Sequence, residues 1–154
     1  MAEKINIADL KIAYFGDKTV RRYIETIADA ESTLRLGSIA AVTAGEAAAM
    51  ALRAIRLTGT EDEALKKAEA DCETLREYFV KIIDEDTKAR KPLEKRLAAG
   101  ASEKEIEGGY LTACIMIDEL MYSSIQMMEL LDRVADKIAP TAAVYAAAAV
   151  RYAR

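Results

Sequence analysis

Acidic and basic side chains follow one another closely in the middle of the chain. The acids at 84–86 precede a basic cluster of Lys88, Arg90, Lys91, Lys95 and Arg96. On a helix, residues four positions apart are neighbours, so Asp86 with Arg90 and Asp84 with Lys88 can form ion pairs on a solvated face. The alternative is that the basic cluster binds an anionic ligand.

The absence of histidine restricts the chemistry that these side chains can perform. Ser-His-Asp and Cys-His nucleophile systems are excluded, because the imidazole in those sites accepts the nucleophile's proton. A metal site would need carboxylate, carbonyl or thiolate ligands. Proton transfer is therefore left to a carboxylate, lysine, tyrosine or cysteine.

Glu46 interrupts an Ala-rich segment and is a second candidate for a functional carboxylate. It shares a helix face with Val42 and Met50, which directs an ionisable group toward apolar surroundings. The alternative is a surface glutamate at the edge of the apolar stripe, paired with Arg53.

Two further acids, Asp118 and Glu119, interrupt residues 110–131, which are apolar on nearly every helix face. We expect one of them to face inward or into an interface. A structural ion pair is the favoured explanation, because structural pairs are more common than functional ones.

Composition excludes several classes of protein. A net charge of -4 at pH 7 argues against nucleic-acid binding, which depends on clustered Lys and Arg. Cys72 and Cys114 lack CxxC spacing, so we expect reduced, packed thiols and no metal. The start of the chain lacks the apolar region of a signal peptide, and Glu46 interrupts the longest apolar stretch, 38–52. We therefore expect a cytoplasmic protein without a membrane partner.

The sequence predicts an all-α fold, a compact bundle of about five helices in one domain, 1–154. Seven Gly and two Pro among 154 residues are few for the many tight turns that a β-sandwich or barrel requires. The first predicted helix covers 18–32 after the cap Asp17, and the second covers 38–58 with Ser38 as its cap. The third begins at the capping box Thr60 to Glu63 and continues to a stop or kink at Pro92, and the fourth begins at the capping box at Ser102. The last covers 141–154. Their apolar stripes place Leu75 and Ile82 in the core, and Val20, Tyr23, Ile24, Ile27 and Ala28 on the buried side of the first helix.

The surface available for packing predicts a homodimer. Two of the helices are rich in alanine and a third is apolar all round. Together they offer more apolar surface than a monomer of this length readily covers.

Several short motifs spread over most of the chain are similar to those of a known protein family. They are Lys18-Thr19-Val20, Gly37-Ser38, Leu57-Thr58-Gly59, and Asp86 with Ala89. Together with the helix pattern they resemble the formiminotetrahydrofolate cyclodeaminase and methenyltetrahydrofolate cyclohydrolase family. The resemblance implies a compact helical dimer that binds a tetrahydrofolate derivative as its substrate, without a metal, near the subunit interface.

The resemblance also implies roles for individual residues. Asp86 is the expected catalytic residue, acting as general acid and base. Ser38 and the amide of Gly37 are expected to hold the pterin or the developing charge. The complete set of expected substrate-binding residues is Arg35, Gly37, Ser38, Glu46 and Arg90.

The sequence also departs from the family pattern. Residues 34–38 read Leu-Arg-Leu-Gly-Ser where the family has Pro-Gly-Gly-Gly-Ser, Ala142 stands at the position of an acid, and Arg90 stands at that of an aromatic residue. Two hypotheses follow. The chain is a folate one-carbon enzyme that hydrolyses methenyltetrahydrofolate or deaminates formiminotetrahydrofolate, or it is a non-catalytic or differently specific dimeric binding protein on the same scaffold.

Overall fold

The computed structural model describes residues 19–32, 34–59 and 61–154. The described residues form α-helices, one short 3₁₀ turn at Ala135–Lys137 and no strand. In chain order the helices are α1 Val20–Ala28, α2 Leu36–Thr58, α3 Glu63–Ala98, α4 Glu103–Val134 and α5 Ala143–Ala153. The predicted all-α bundle of about five helices is confirmed, and the predicted cap Asp17 lies outside the described residues.

α2 is the central helix, because it packs extensively against both α3 and α5. α3 packs in turn against α4. The distance between packed helices depends on the side chains at the contact, so small residues allow close approach. The buried small residues of α2 are Ala41, Ala44, Ala47, Ala48, Ala51 and Ala54.

The apolar stripe predicted on α3 forms part of the core. Phe79 and Cys72 are fully buried, and Ile82 is 1% exposed. These residues recur at the helical period, so they fall on the face that packs against α2 and α4. Leu75 is only partly buried against this cluster, so it lies at the edge of the core.

Side chains cap the starts of two long helices. The carboxylate of Asp62 accepts hydrogen bonds from the amide of Ala64 at 2.7 Å and from the next amide, and it therefore caps α3. Thr60, which we predicted as this cap, lies outside the described residues. Ser102 and Glu105 form the predicted capping box at the start of α4.

The ends of the helices differ from prediction in three places. α3 continues through Pro92 to Ala98, because Pro92 is exposed and water can satisfy the carbonyl that loses its partner. α2 starts two residues before Ser38, whose hydroxyl is used in a tertiary contact instead of a cap. α5 starts at Ala143, and Pro140 lies in the turn before it.

The buried stripe predicted for the first helix is wrong for the single chain. No residue of α1 is buried, and Val20 and Ile24 are 76% and 60% exposed. α1 makes only marginal contact with the other described helices. The amphipathic pattern is present, but among the described residues the helices α2 to α5 do not cover it.

α2 is also long and apolar enough to span a membrane by length and composition alone. Half of its apolar window is buried within the bundle. A central helix packed between others passes the same test, because its neighbours bury its apolar faces.

Candidate functional site

Asp86, in the second half of α3, is a carboxylate with no solvent exposure. Its Oδ2 accepts hydrogen bonds from the backbone amide of Ser38 at 3.1 Å and from the Ser38 hydroxyl at 3.4 Å. The same hydroxyl lies 3.4 Å from the hydroxyl of Thr87. These contacts join the first turn of α2 to α3.

The first turn of α2 provides the electrostatic reason for a carboxylate at this position. Arg35 at the N-cap makes no side-chain capping hydrogen bond, so this helix start lacks a local acceptor. Asp86 supplies that acceptor from another helix by accepting from the Ser38 amide. The positive end of the α2 dipole also stabilises the negative charge.

Gly37 brings the backbone of α2 directly against this carboxylate. A Cβ atom at Gly37 would lie 2.7 Å from Cγ and from both oxygens of Asp86. A Cβ atom forms no hydrogen bond and does not approach other atoms so closely, so any larger residue would displace the carboxylate or the first turn of α2. The glycine is therefore needed for close approach.

The second oxygen of Asp86 has unused hydrogen-bonding capacity. Oδ1 lies 3.5 Å from Nε of Arg90, which confirms the predicted ion pair between residues one turn apart. The contact is an ion pair without a hydrogen bond, and both atoms are buried without any hydrogen-bond partner. Oδ1 can therefore accept a proton or a hydrogen bond from a ligand that reaches it.

Two partly exposed arginine side chains lie in this region, Arg90 beside Asp86 on α3 and Arg35 at the N-cap of α2. The side chain of Arg90 is 35% exposed. The side chain of Arg35 is 43% exposed and pairs with Glu94 on α3. Arginine side chains bind carboxylates through two parallel hydrogen bonds, so this surface suits an anionic part of a ligand.

The structure brings together five of the six predicted site residues. They are Arg35, Gly37, Ser38, Asp86 and Arg90. Sequence reasoning missed Thr87 and Glu94. Glu94 shares a face of α3 with Arg90, four positions away, but nothing local indicated its partner Arg35. Thr87 is adjacent to Asp86, and only the fold places its hydroxyl beside Ser38.

Glu46 lies apart from this group. It follows Ser38 by two turns of α2, about 12 Å along the axis, and it is exposed. The inward orientation is therefore wrong, and the alternative of a surface glutamate at the edge of the apolar stripe is confirmed. Arg53, the alternative partner of Glu46, lies over the ring of Tyr145, 4.7 Å from its centroid.

Asp118 and Glu119 are both exposed, so the prediction that one of them faces the bundle interior is wrong. Asp118 lies on the side of α4 opposite its buried stripe, whereas Glu119 lies at the flank next to α3. Glu119 accepts a hydrogen bond from the hydroxyl of Tyr78 on α3. Burial, and then this carboxylate, raise the pKa of Tyr78 to about 12.

The expectation of packed thiols is confirmed for Cys72 and wrong for Cys114, which is exposed on α4. Cys72 is buried, and burial together with the charges of Asp71 and Glu73 raises its pKa to about 12. A thiol with so high a pKa is a poor nucleophile. Among the described residues, no three His, Cys, Asp or Glu side chains are grouped so that they could hold a metal ion.

Comparison with known proteins identifies a family that covers most of the chain. The family model described as formiminotransferase-cyclodeaminase matches residues 19–154. The matched segment contains every helix from α1 to α5 and all the residues around Asp86. A search of curated proteins found no match.

Proposed function

The chain belongs to the formiminotransferase-cyclodeaminase family, and from this premise we propose that it is a folate one-carbon enzyme. It hydrolyses methenyltetrahydrofolate or deaminates formiminotetrahydrofolate. The observation that carries the proposal is the buried carboxylate of Asp86, which lies beside the start of α2. One of its two oxygens has no hydrogen-bond partner.

In the hydrolytic reaction, Asp86 acts first as a base and then as an acid. Water attacks the methenyl carbon while Oδ1 accepts one of its protons, and a carbon–oxygen bond forms. One carbon–nitrogen bond of the five-membered ring then breaks, and Asp86 returns the proton to the leaving nitrogen. In the deamination, a ring-closing nitrogen attacks the formimino carbon, and Asp86 carries the proton that lets ammonia leave.

Ser38 and Asp86 have different roles in this proposal. The Ser38 amide and hydroxyl hold Oδ2, so that Oδ1 alone faces the reacting carbon. The positive end of α2 stabilises negative charge there without needing to reorganise. Arg35 and Arg90 bind the carboxylates of the folate.

Access to Oδ1 requires the Arg90 side chain to move. Asp86 is fully buried beneath it in the structure. The ion pair without a hydrogen bond is weaker than a bidentate pair, so a substrate carboxylate can draw the guanidinium away. Binding of the substrate would then open the site.

A second candidate function is a dimeric binding protein without catalysis. The same burial of Asp86 favours it, because a carboxylate that caps α2 and pairs with Arg90 already has a structural role. In this case the arginines bind an anionic ligand and Asp86 only positions them.

Turnover measurements distinguish the two functions. Purified wild-type protein is assayed with methenyltetrahydrofolate and with formiminotetrahydrofolate, beside Asp86→Asn and the control Glu85→Gln. Glu85 is the preceding residue on α3 and pairs with Lys88 at the surface. Turnover lost in Asp86→Asn alone supports the enzyme. Binding of either folate without turnover by wild-type protein supports the binding protein.

We also propose that the protein is a homodimer, that its single domain spans 1–154, and that it is cytoplasmic. The exposed apolar residues of α4 support the dimer. Leu111, Met121 and Tyr122 are 62%, 60% and 63% exposed on this one helix. Large exposed apolar side chains grouped on one helix are found at interfaces more often than on free surface.

A further inference from the structure

A groove runs between α4 and α5. Two clefts of about 460 and 560 Å³ share Met128 and Arg154 in their linings and so form one continuous groove. On α4 the lining extends from Leu120 to Asp132, a length of about 18 Å at 1.5 Å per residue. The groove is therefore long enough to hold a helix of nine residues, which spans about 13 Å.

The groove is open to solvent although much of its lining is apolar. Met121, Ile125 and Tyr152 line one of its two clefts and are 60%, 46% and 47% exposed. Binding of another molecule over neighbouring large apolar side chains is favourable, because the removal of each side chain from water lowers the free energy.

α1 has the complementary surface. Val20, Ile24 and Ile27 recur about one turn apart, and they are 76%, 60% and 42% exposed. A nine-residue helix does not persist in water by itself, so its stability depends on packing.

Tyr23 is a side chain of α1 whose polar tip is buried. The hydroxyl of Tyr23 is buried, and burial together with the charge of Glu46 on α2 raises the pKa of Tyr23. Tyr23 is one helical turn from both Val20 and Ile27, so it marks one edge of the apolar stripe. The other edge, at Ile24, is 60% exposed and can contact another molecule.

Charges on the two surfaces are complementary. α1 carries Arg21 beside the Ile24 edge of its apolar stripe, while Arg22 and Glu25 lie farther round the helix. The groove lining includes Glu129 and Asp132 on α4, with Arg154 as its single basic residue. Opposite charges at the rim of an apolar contact favour encounter and fix its orientation.

We propose that α1 of one copy lies in the groove between α4 and α5 of a second copy. Val20, Ile24 and Ile27 pack against the apolar lining, and Arg21 lies near Glu129 and Asp132 of the other copy. Both halves of the contact are present on every chain, so a two-fold axis produces two identical contacts and a closed dimer. The inference rests on the proposed homodimer and adds the surface that forms it.

Disulfide cross-linking between two kinds of chain tests the contact directly. In a Cys114→Ser background, a chain with Ile24→Cys is co-expressed with a differently tagged chain that carries Ile125→Cys, and the mixture is oxidised. We expect a disulfide that joins the two kinds of chain. The control pairs Val80→Cys, on the exposed face of α3, with Ile125→Cys and should not cross-link. A disulfide between two Ile125→Cys chains, or none between the different chains, would overturn the inference.

Sedimentation distinguishes failure of the inference from failure of the homodimer. Ile24→Asp should raise the dimer dissociation constant by about 100-fold or more, because the change is repeated in both contacts. Val80→Asp is the control, since Val80 is 41% exposed and lies outside the groove. A dimer that Ile24→Asp leaves intact overturns the inference alone, whereas a wild-type monomer overturns the homodimer as well.

Charge reversal tests the orientation of the contact. Arg21→Glu should weaken the dimer about fivefold, and Glu129→Arg in the same chain should restore it, because the pair is exchanged. Lys81→Glu on α3 serves as the control for net charge. Weakening by Arg21→Glu that Glu129→Arg deepens would overturn the proposed pairing.

Discussion

A methyl group on Gly37 would lie 2.7 Å from the carboxylate of Asp86, so glycine is required where α2 meets α3. We expect Gly37→Ala to destabilise the protein by about 1–3 kcal/mol, because the buried carboxylate must shift in a packed interior. Denaturant unfolding measures the loss.

Gly108→Ala is the matched control for this change. Gly108 also lies within a helix, but a Cβ atom there would meet nothing within 4 Å. Alanine should stabilise α4 by about 0.5–1 kcal/mol, because it loses less backbone entropy than glycine. Equal effects of the two substitutions would contradict the close contact at Gly37.

Two substitutions of Asp86 separate its capping role from its chemical role. Asp86→Asn keeps an oxygen that accepts from the Ser38 amide, so we expect a fold close to wild type and turnover lower by about 100- to 10,000-fold. Asp86→Ala leaves that amide without its acceptor and should destabilise the protein by about 1.5–3 kcal/mol. Unfolding and turnover are measured on both variants. A large loss of stability in Asp86→Asn would mean that the charge itself holds the helices together.

Truncation of the α3 core should depend on burial. Ile82 is 1% exposed, and Ile82→Ala should destabilise the protein by about 2–5 kcal/mol. Leu75→Ala should cost less, because Leu75 lies at the edge of the core. Val80→Ala, at an exposed position on the same helix, should stay within about 0.5 kcal/mol. Comparable losses at positions 80 and 82 would contradict the assigned face.

The two thiols should differ in reactivity. Cys114 is exposed and should react with a thiol reagent in the native protein, whereas the buried Cys72 should react only after unfolding. In Cys114→Ser protein, rapid modification under native conditions would show that the core opens around Cys72.

The same thiol gives a pH dependence of stability. Its pKa rises from 9.0 to about 12 on folding, so above about pH 9 the unfolded chain releases a proton that the folded chain keeps. The contribution of Cys72 to stability is therefore complete below pH 9 and is lost as the pH rises toward 12. Denaturant unfolding of the wild-type protein and of Cys72→Ala between pH 9 and 12 measures this contribution. If Cys72→Ala loses as much stability over this range as the wild-type protein does, the loss does not come from Cys72.

The sequence by itself determined the features that depend on near neighbours in the chain. Helical periodicity predicted the buried face of α3, the spacing of four predicted the Asp86–Arg90 pair, and the Ser102 capping box follows from residues three apart. Such contacts form within one helix, where the backbone geometry fixes which side chains meet.

Only the tertiary structure decided which distant residues meet. Ser38 and Asp86 are 48 positions apart and Arg35 and Glu94 are 59 apart, and no local pattern specifies either pair. The same periodicity that placed Ile82 correctly placed the stripe of α1 in the core, although α1 has no buried residue. An amphipathic pattern indicates that one face of a helix is stabilised by burial, whereas the packing of the other helices decides whether the same chain buries it.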